Sequence, residues 1–157
     1  MNIIALVVAV LWVDLIVIIL SSYKLLGTYL PEWYAKFGPV AVLSDCLIII
    51  LVVMLAHFIY PGASILELIL LGLILQMVHD GLFYLLVIQK LPDGKNSVID
   101  LFKKYADEGG YRILIADALM VTSSILGQYY LETQSIEVTS FLGFLATYAI
   151  SYMIYTK

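Results

Sequence analysis

Residues 2–20 read NIIALVVAVLWVDLIVIIL, an apolar stretch in which Asp14 is the one charged side chain. The hydrocarbon core of a bilayer is about 30 Å thick and is crossed by about 20 apolar residues in a helix. The stretch has that length, and it lacks the small-residue cleavage site that ends a signal peptide. We therefore expect residues 2–20 to form a retained transmembrane helix.

Four further stretches have the same character, and the composition of the chain agrees with them. Hydrophobic residues make up 63% of the 157 residues and charged residues 13%, a balance far from that of soluble domains. The predicted spans are 2–20, 39–60, 64–88, 112–131 and 138–155. The sequence thus predicts an all-α fold, a polytopic bundle of five transmembrane helices in a single transmembrane domain, residues 1–157. Ser64 and Glu67 have the spacing of a capping box and mark the start of the third span.

The basic residues determine the expected orientation. With five spans, all eight Lys and Arg residues fall on one side of the bilayer: Lys24, Lys36, Lys90, Lys95, Lys103, Lys104, Arg112 and Lys157. The loops on the other side, 61–63 and 132–137, contain none. Because basic loops are retained in the cytoplasm, we expect the N-terminus outside and the C-terminus cytoplasmic.

Two segments on the predicted cytoplasmic side have the pattern of short interfacial amphipathic helices. Within residues 96–107 the apolar residues recur at helical spacing on one face, and the charged residues lie on the opposite face. Residues 31–37 are similar, and their Trp33 and Tyr34 are typical of an aromatic belt at a membrane surface. We expect both segments to anchor the chain to the lipid bilayer.

Four aspartates interrupt the predicted spans, each on a different helix: Asp14, Asp45, Asp80 and Asp117. Counting ~1.5 Å per residue from the ends of the spans places all four roughly 8–12 Å below the cytoplasmic boundary. The spans contain no clearly buried Lys or Arg, and an Asp at the membrane centre costs about 2.5–3.5 kcal/mol. The sequence therefore predicts an acidic layer that binds a cation or carries protons.

The candidate cation or proton site comprises Asp14, Asp45, His79, Asp80 and Asp117. Carboxylates with one imidazole suit a divalent cation such as Ca²⁺, Mg²⁺, Mn²⁺ or Fe²⁺, although their spacing matches no standard metal motif. Neighbours on a helix point about 100° apart, so His79 and Asp80 are not expected to share a face. The expected neutral hydrogen-bonding partners are Gln76 and Tyr84, together with Tyr148, Ser151 or Tyr152 from the fifth span.

These observations leave three functions open. The first is ion transport or cation binding, for which a chain of this length is expected to need a homo-oligomer to form a pore. The second is a structural membrane component in which the aspartates fasten helices together. The third and least supported is a membrane-embedded metalloenzyme, so the sequence favours a protein that is not an enzyme. The net charge of −4, with no large basic cluster, argues against a nucleic-acid partner.

The runs HDGLFY at 79–84, IDLFKKYA at 99–106 and ADALM at 116–120 resemble a family of small multi-spanning membrane proteins of giant DNA viruses. The resemblance extends from about the second span to the end of the chain. It implies a viral membrane protein, located in a host-derived or virion internal membrane, and favours a structural role. It assigns no role to individual residues.

Overall fold

The computed structural model describes residues 1–155, and Lys157, which contributes to the expected orientation, lies outside them. Within the described residues the chain forms no strand and seven α-helices: α1 Ile3–Ser22, α2 Tyr29–Phe37, α3 Pro39–Ile59, α4 Ile65–Phe83, α5 Ser97–Gly109, α6 Tyr111–Glu132 and α7 Ile136–Met153. A π-helical turn, Tyr84–Ile88, extends α4. Five helices, α1, α3, extended α4, α6 and α7, are long and apolar enough to cross a membrane. The predicted all-α fold and the count of five candidate spans are confirmed.

Side-chain caps mark the starts of three of the five long helices, α1, α4 and α7. Asn2 Oδ1 accepts hydrogen bonds from the amides of Ile4 and Ala5 at the start of α1. The predicted capping box at α4 is confirmed, because Ser64 and Glu67 each bond the backbone amide of the other. At the start of α7 the Ser135 hydroxyl accepts a hydrogen bond from the Val138 amide. These contacts satisfy amides that have no partner inside their own helix.

Helix α1 is the centre of the bundle and packs against α3, α6 and α7. Small residues allow the closest approaches. A Cβ added at Gly127 of α6 would lie 3.1 Å from the Ala9 Cβ, and one added at Gly143 of α7 would lie 2.9 Å from the Val8 Cγ2. The backbones of α6 and α7 therefore approach α1 more closely than a larger residue would permit, as is common between membrane helices.

The outer faces of the long helices are apolar. On α3, Leu43, Leu47, Leu51 and Leu55 form a stripe at four-residue spacing, and each is at least 46% exposed. Soluble monomers rarely expose contiguous apolar surfaces of this kind. The five helices are thus compatible with an integral membrane protein.

Helices α2 and α5 form where the sequence predicts amphipathic helices, and they pack against each other. Helix α2 also contacts α1 and α3, while α5 contacts α6 and the π-helical turn. Trp33 and Tyr34 are each only 4% exposed. The prediction that they form a belt at the membrane surface is therefore wrong, because the apolar face of α2 is buried against the bundle.

The two ends of the bundle differ in charge. At one end the Asn2 amide donates to Glu132 Oε1 at 2.6 Å, which joins the start of α1 to the end of α6. The described Lys residues all belong to the loops and short helices of the opposite end, and Arg112 lies there in the first turn of α6. This asymmetry agrees with the expected topology, while the direction in which the bundle crosses a membrane stays a prediction.

Candidate functional site

A cavity of about 870 Å³ lies between the membrane-spanning helices and the short helices α2 and α5. Residues from α1 through α6 line it, and most of their side chains are apolar. Its volume is within the range of about 300–1,000 Å³ that is common for small-molecule sites. Four of the predicted site residues line this cavity: Asp45, His79, Asp80 and Asp117. The described lining contains no Lys or Arg.

Asp14, the fifth predicted residue, lies outside this lining and is joined to it by Tyr34. Asp14 is fully buried, and its Oδ1 is 3.0 Å from the Tyr34 hydroxyl. The same hydroxyl is 2.9 Å from Asp45 Oδ2, which also accepts a hydrogen bond from Trp33 Nε1 at 3.1 Å. Tyr34 thus bridges carboxyl groups on α1 and α3 from its position on α2.

The bridge requires a second proton. A phenol carries one proton and can donate it to one carboxylate at a time. Burial, and then the charges of Asp45 and Asp14, raise the pKa of Tyr34 well above its usual range, so the phenol stays protonated at neutral pH. With both carboxyl groups ionised, one of the two close oxygen pairs would have no proton between its atoms. The geometry therefore fits a bridge in which either Asp14 or Asp45 is protonated.

Three polar residues of α4 form a second cluster at the cavity wall. Gln76 Nε2 donates to Asp80 Oδ1 at 2.8 Å, and His79 Nδ1 lies 3.0 Å from the same oxygen. In a hydrogen bond to an ionised Asp80, which can only accept, the donor is the Nδ1–H of His79. The expectation that His79 and Asp80 occupy different faces is wrong. The two backbone positions diverge, but the imidazole reaches back to the neighbouring carboxylate.

Asp117 reaches the cavity from α6, which packs against α4. Close packing depends on Gly72 of α4, where an added Cβ would lie 3.2 Å from the Val121 Cγ1. Tyr105 of α5 lines the same cavity. Burial, followed by the charges of Asp117 and Asp45, raises the pKa of Tyr105 above its usual range. The Asp117 and Asp45 carboxylates, from different helices, thus both act electrostatically on Tyr105 in the cavity.

Aromatic rings form the wall of the cavity on the side of the short helices. The Trp33 and Phe102 rings have centroids 4.8 Å apart, and Phe83 meets Phe102 edge-on at 6.0 Å. The His79 ring stacks on Phe83 with an interplanar angle of 8°. Aromatic contacts of this kind stabilise a fold by more than the burial of their apolar area alone. They place apolar ring surfaces next to the carboxylates.

Glu108 links the two short helices at this end. Its carboxylate accepts hydrogen bonds from the Thr28 amide at 2.9 Å, the Tyr29 amide at 3.2 Å and the Thr28 hydroxyl. The hydroxyl contact and the backbone contacts hold the pKa of Glu108 below its usual range. Glu108 of α5 therefore binds the first amides of α2 and fastens the two helices together over the cavity.

Structure and sequence differ over several predicted partners. Gln76 and Tyr84 line the cavity as expected. Three partners expected from the last span do not, since a separate recess is lined by Tyr148, Ser151, Tyr152 and Tyr155. Among the residues that the structure describes, no group of three or more His, Cys, Asp or Glu side chains is placed to hold a metal ion. The predicted divalent-cation site stays a prediction.

Three hydrogen-bonding contributors to the site are absent from the set predicted by sequence, namely Trp33, Tyr34 and Glu108. Trp33 and Tyr34 carry a usable signal, because polar aromatic side chains lie on a short helix directly before the Asp45 span. Glu108 carries no such signal, since a Glu near the end of an amphipathic helix is ordinarily an exposed charge.

Comparison of the chain with models of protein families, with curated proteins and with solved structures found no match.

Proposed function

We propose that this chain is a multi-pass integral membrane protein whose acidic cavity binds cations or relays protons. The observation that carries the proposal is that Asp45, Asp80 and Asp117, from three different helices, line one cavity without a Lys or Arg in its described lining. An ionised carboxylate in a membrane needs a proton, a cation or several hydrogen-bond donors to offset its desolvation. The cavity has room for such a partner.

Exposed leucines on α3 support the membrane location, since they match a lipid environment. The position of the basic residues at one end supports a cytoplasmic location for the α2 and α5 end, under the positive-inside rule. The acidic cavity then lies in the cytoplasmic half of the bundle.

The bridge through Tyr34 supports proton exchange in particular. It connects the fully buried Asp14 to Asp45 at the cavity wall through hydrogen bonds of 3.0 and 2.9 Å. Because the bridge holds one proton beyond that of the phenol, a proton can move between the two carboxyl groups without a large rearrangement. Chains of intramembrane Asp and His side chains are typical of proton relays.

A flux assay in liposomes tests this proposal. Purified protein is reconstituted, and proton, Na⁺ and Ca²⁺ fluxes are compared between the wild type, Asp80→Asn and Asp117→Asn. Asp107→Asn, an exposed residue of α5, is the matched control. We expect flux in the wild type and control and its loss in both cavity variants. Direct binding is measured in parallel by equilibrium dialysis, because a cation-binding protein need not conduct.

A second function, a structural membrane component, is favoured by one observation. Tyr34 joins α1, α2 and α3 through two carboxyl groups, an arrangement that can serve to fasten helices together. If the resemblance to viral membrane proteins holds, the membrane is a virion or host-derived internal one. Absence of both flux and cation binding in the wild type, with lower thermal stability in the variants, would support this function and overturn the first.

A further inference from the structure

Two acceptor oxygens at the cavity wall have no donor from the protein. Gln76 is only 5% exposed and lines the cavity; its Nε2 donates to Asp80, while its Oε1 has no hydrogen-bond partner. Asp80 Oδ2 is also buried without a partner. Buried acceptors without a donor are rare in folded proteins. Both residues line the cavity, so a small side-chain rotation would offer these two oxygens, one helical turn apart on α4, to a ligand that carries N–H or O–H groups.

The charge of the lining selects among such ligands. Asp45 and Asp117 face the same cavity as Asp80, and His79 is the one titratable base in its described lining. An ammonium group supplies a positive charge together with several N–H donors, which matches both the unpaired oxygens and the surplus of carboxylates. A neutral alcohol would supply a donor but would leave the negative charge without compensation.

The rest of the lining indicates the form of the ligand. Its walls are mostly aliphatic and aromatic, and the Phe102 ring contacts both Trp33 and Phe83 beside the polar residues. A volume of about 870 Å³ accommodates an organic molecule of ordinary drug size. Aromatic faces also attract organic cations through their π electrons. The cavity thus offers an apolar region adjoining an anionic one.

We infer that the cavity binds a free amphiphilic amine, a molecule with a compact apolar body and an ammonium group that donates to Gln76 and Asp80. The inference rests on the proposed cation-binding function and names its ligand class. A phospholipid with an ethanolamine headgroup shares the ammonium. Its phosphate, however, would enter a cavity whose described lining contains carboxylates and no Lys or Arg, so we assign the site to the free amine.

Equilibrium dialysis with protein in phosphatidylcholine nanodiscs tests the inference, after subtraction of binding to protein-free nanodiscs. The probes are 4-phenylbutylamine, its neutral analogue 4-phenylbutan-1-ol, Na⁺ and Ca²⁺. We expect saturable binding of the amine at about one molecule per chain and at least tenfold weaker binding of the alcohol, since hydrogen bonds to charged groups are stronger than neutral ones.

Variants locate the amine. We expect Asp80→Asn to weaken its binding about tenfold and Gln76→Leu about threefold, because the first removes a charge and the second a neutral acceptor. Asp107→Asn on the exposed face of α5 should leave binding unchanged. Circular dichroism and thermal melting of each variant establish that it is folded before its affinity is compared.

The outcomes separate this inference from the function on which it rests. Binding of Na⁺ or Ca²⁺ without amine binding would support the cation-binding function and would overturn the assignment of an amine as the ligand. Absence of binding by any cation would overturn both the amine and the cation site, and of the proposed function only the proton relay would remain. Equal binding of amine and alcohol, or amine binding that Asp80→Asn does not change, would also overturn the inference. Loss of amine binding when phosphatidylethanolamine replaces phosphatidylcholine would assign the site to the lipid headgroup instead of the free amine.

Discussion

The hydroxyl of Tyr34, on a short helix outside the predicted spans, lies 3.0 Å from Oδ1 of Asp14, a fully buried carboxyl on the central helix α1. The same hydroxyl lies 2.9 Å from Asp45 Oδ2. Hydrogen bonds through one hydroxyl thus join three groups on three helices and hold α2 against two membrane helices.

We expect an infrared carbonyl band from a protonated carboxylic acid in the purified protein at neutral pH. The hydrogen-bond geometry fits one protonated carboxyl group in the bridge, and a buried group of this kind absorbs separately from ionised carboxylates. ¹³C labelling of aspartate should shift the band. Asp14→Asn should remove or reduce it, because Asn supplies a neutral donor to Tyr34 in place of the acid. Persistence of the full labelled band in both Asp14→Asn and Asp45→Asn would contradict the shared proton.

Replacement of Gly143 by Ala should lower the free energy of unfolding relative to the same replacement at Gly81. The new Cβ at Gly143 would lie 2.9 Å from Val8 Cγ2, whereas at Gly81 no heavy atom lies within 4 Å. Both variants gain the helix propensity of Ala. The difference between their free energies of unfolding therefore measures the cost of overpacking at Gly143, about 1–3 kcal/mol. Unfolding with a denaturing detergent in mixed micelles provides the comparison. Equal stabilities would mean that α7 does not pack closely on α1.

The proposed topology predicts which single cysteines can be labelled from each side of a membrane. Cys46 is the one cysteine of the chain and is buried, so it contributes little background. In intact cells an impermeant maleimide should label Pro61→Cys, and it should label Lys95→Cys only after permeabilisation. Both positions are exposed in the loops of opposite ends. The reverse pattern would invert the orientation, and labelling of both in intact cells would contradict the five-span topology.

The spans can be predicted from sequence because length and apolar composition are local properties. The second predicted span, 39–60, agrees with Pro39–Ile59 to one residue at its end. Its start is also local, since Pro39 at the first helical position has no amide that needs a partner. The capping box at Ser64 identifies the next helix for the same reason.

Rotation about the helix axis cannot be predicted in this way, since turning a helix changes the direction of a side chain without changing its depth. Asp14 and Asp45 were expected in one layer, yet only Asp45 lines the cavity. Tyr148 was expected nearby but lines another recess. Trp33 and Tyr34 illustrate a related ambiguity, because one amphipathic pattern fits both a lipid surface and the buried side of a covering helix.

Acidic pH should loosen the contact between α2 and α5 through protonation of Glu108. Hydrogen bonds from Thr28 hold the pKa of this carboxyl below its usual range in the folded state. A group with a lowered pKa stabilises the fold above its unfolded pKa, and this contribution is lost as the pH falls through the folded pKa. The amides of Thr28 and Tyr29 should therefore lose hydrogen-exchange protection in acid, after correction for the intrinsic exchange rate. In Glu108→Gln these two amides should have the same protection at neutral and at acidic pH. The exposed Asp107→Asn variant should behave as the wild type. Equal pH dependence in the Glu108→Gln variant and the wild type would assign the effect to another group, because Gln cannot be ionised and still offers an acceptor to the same amides.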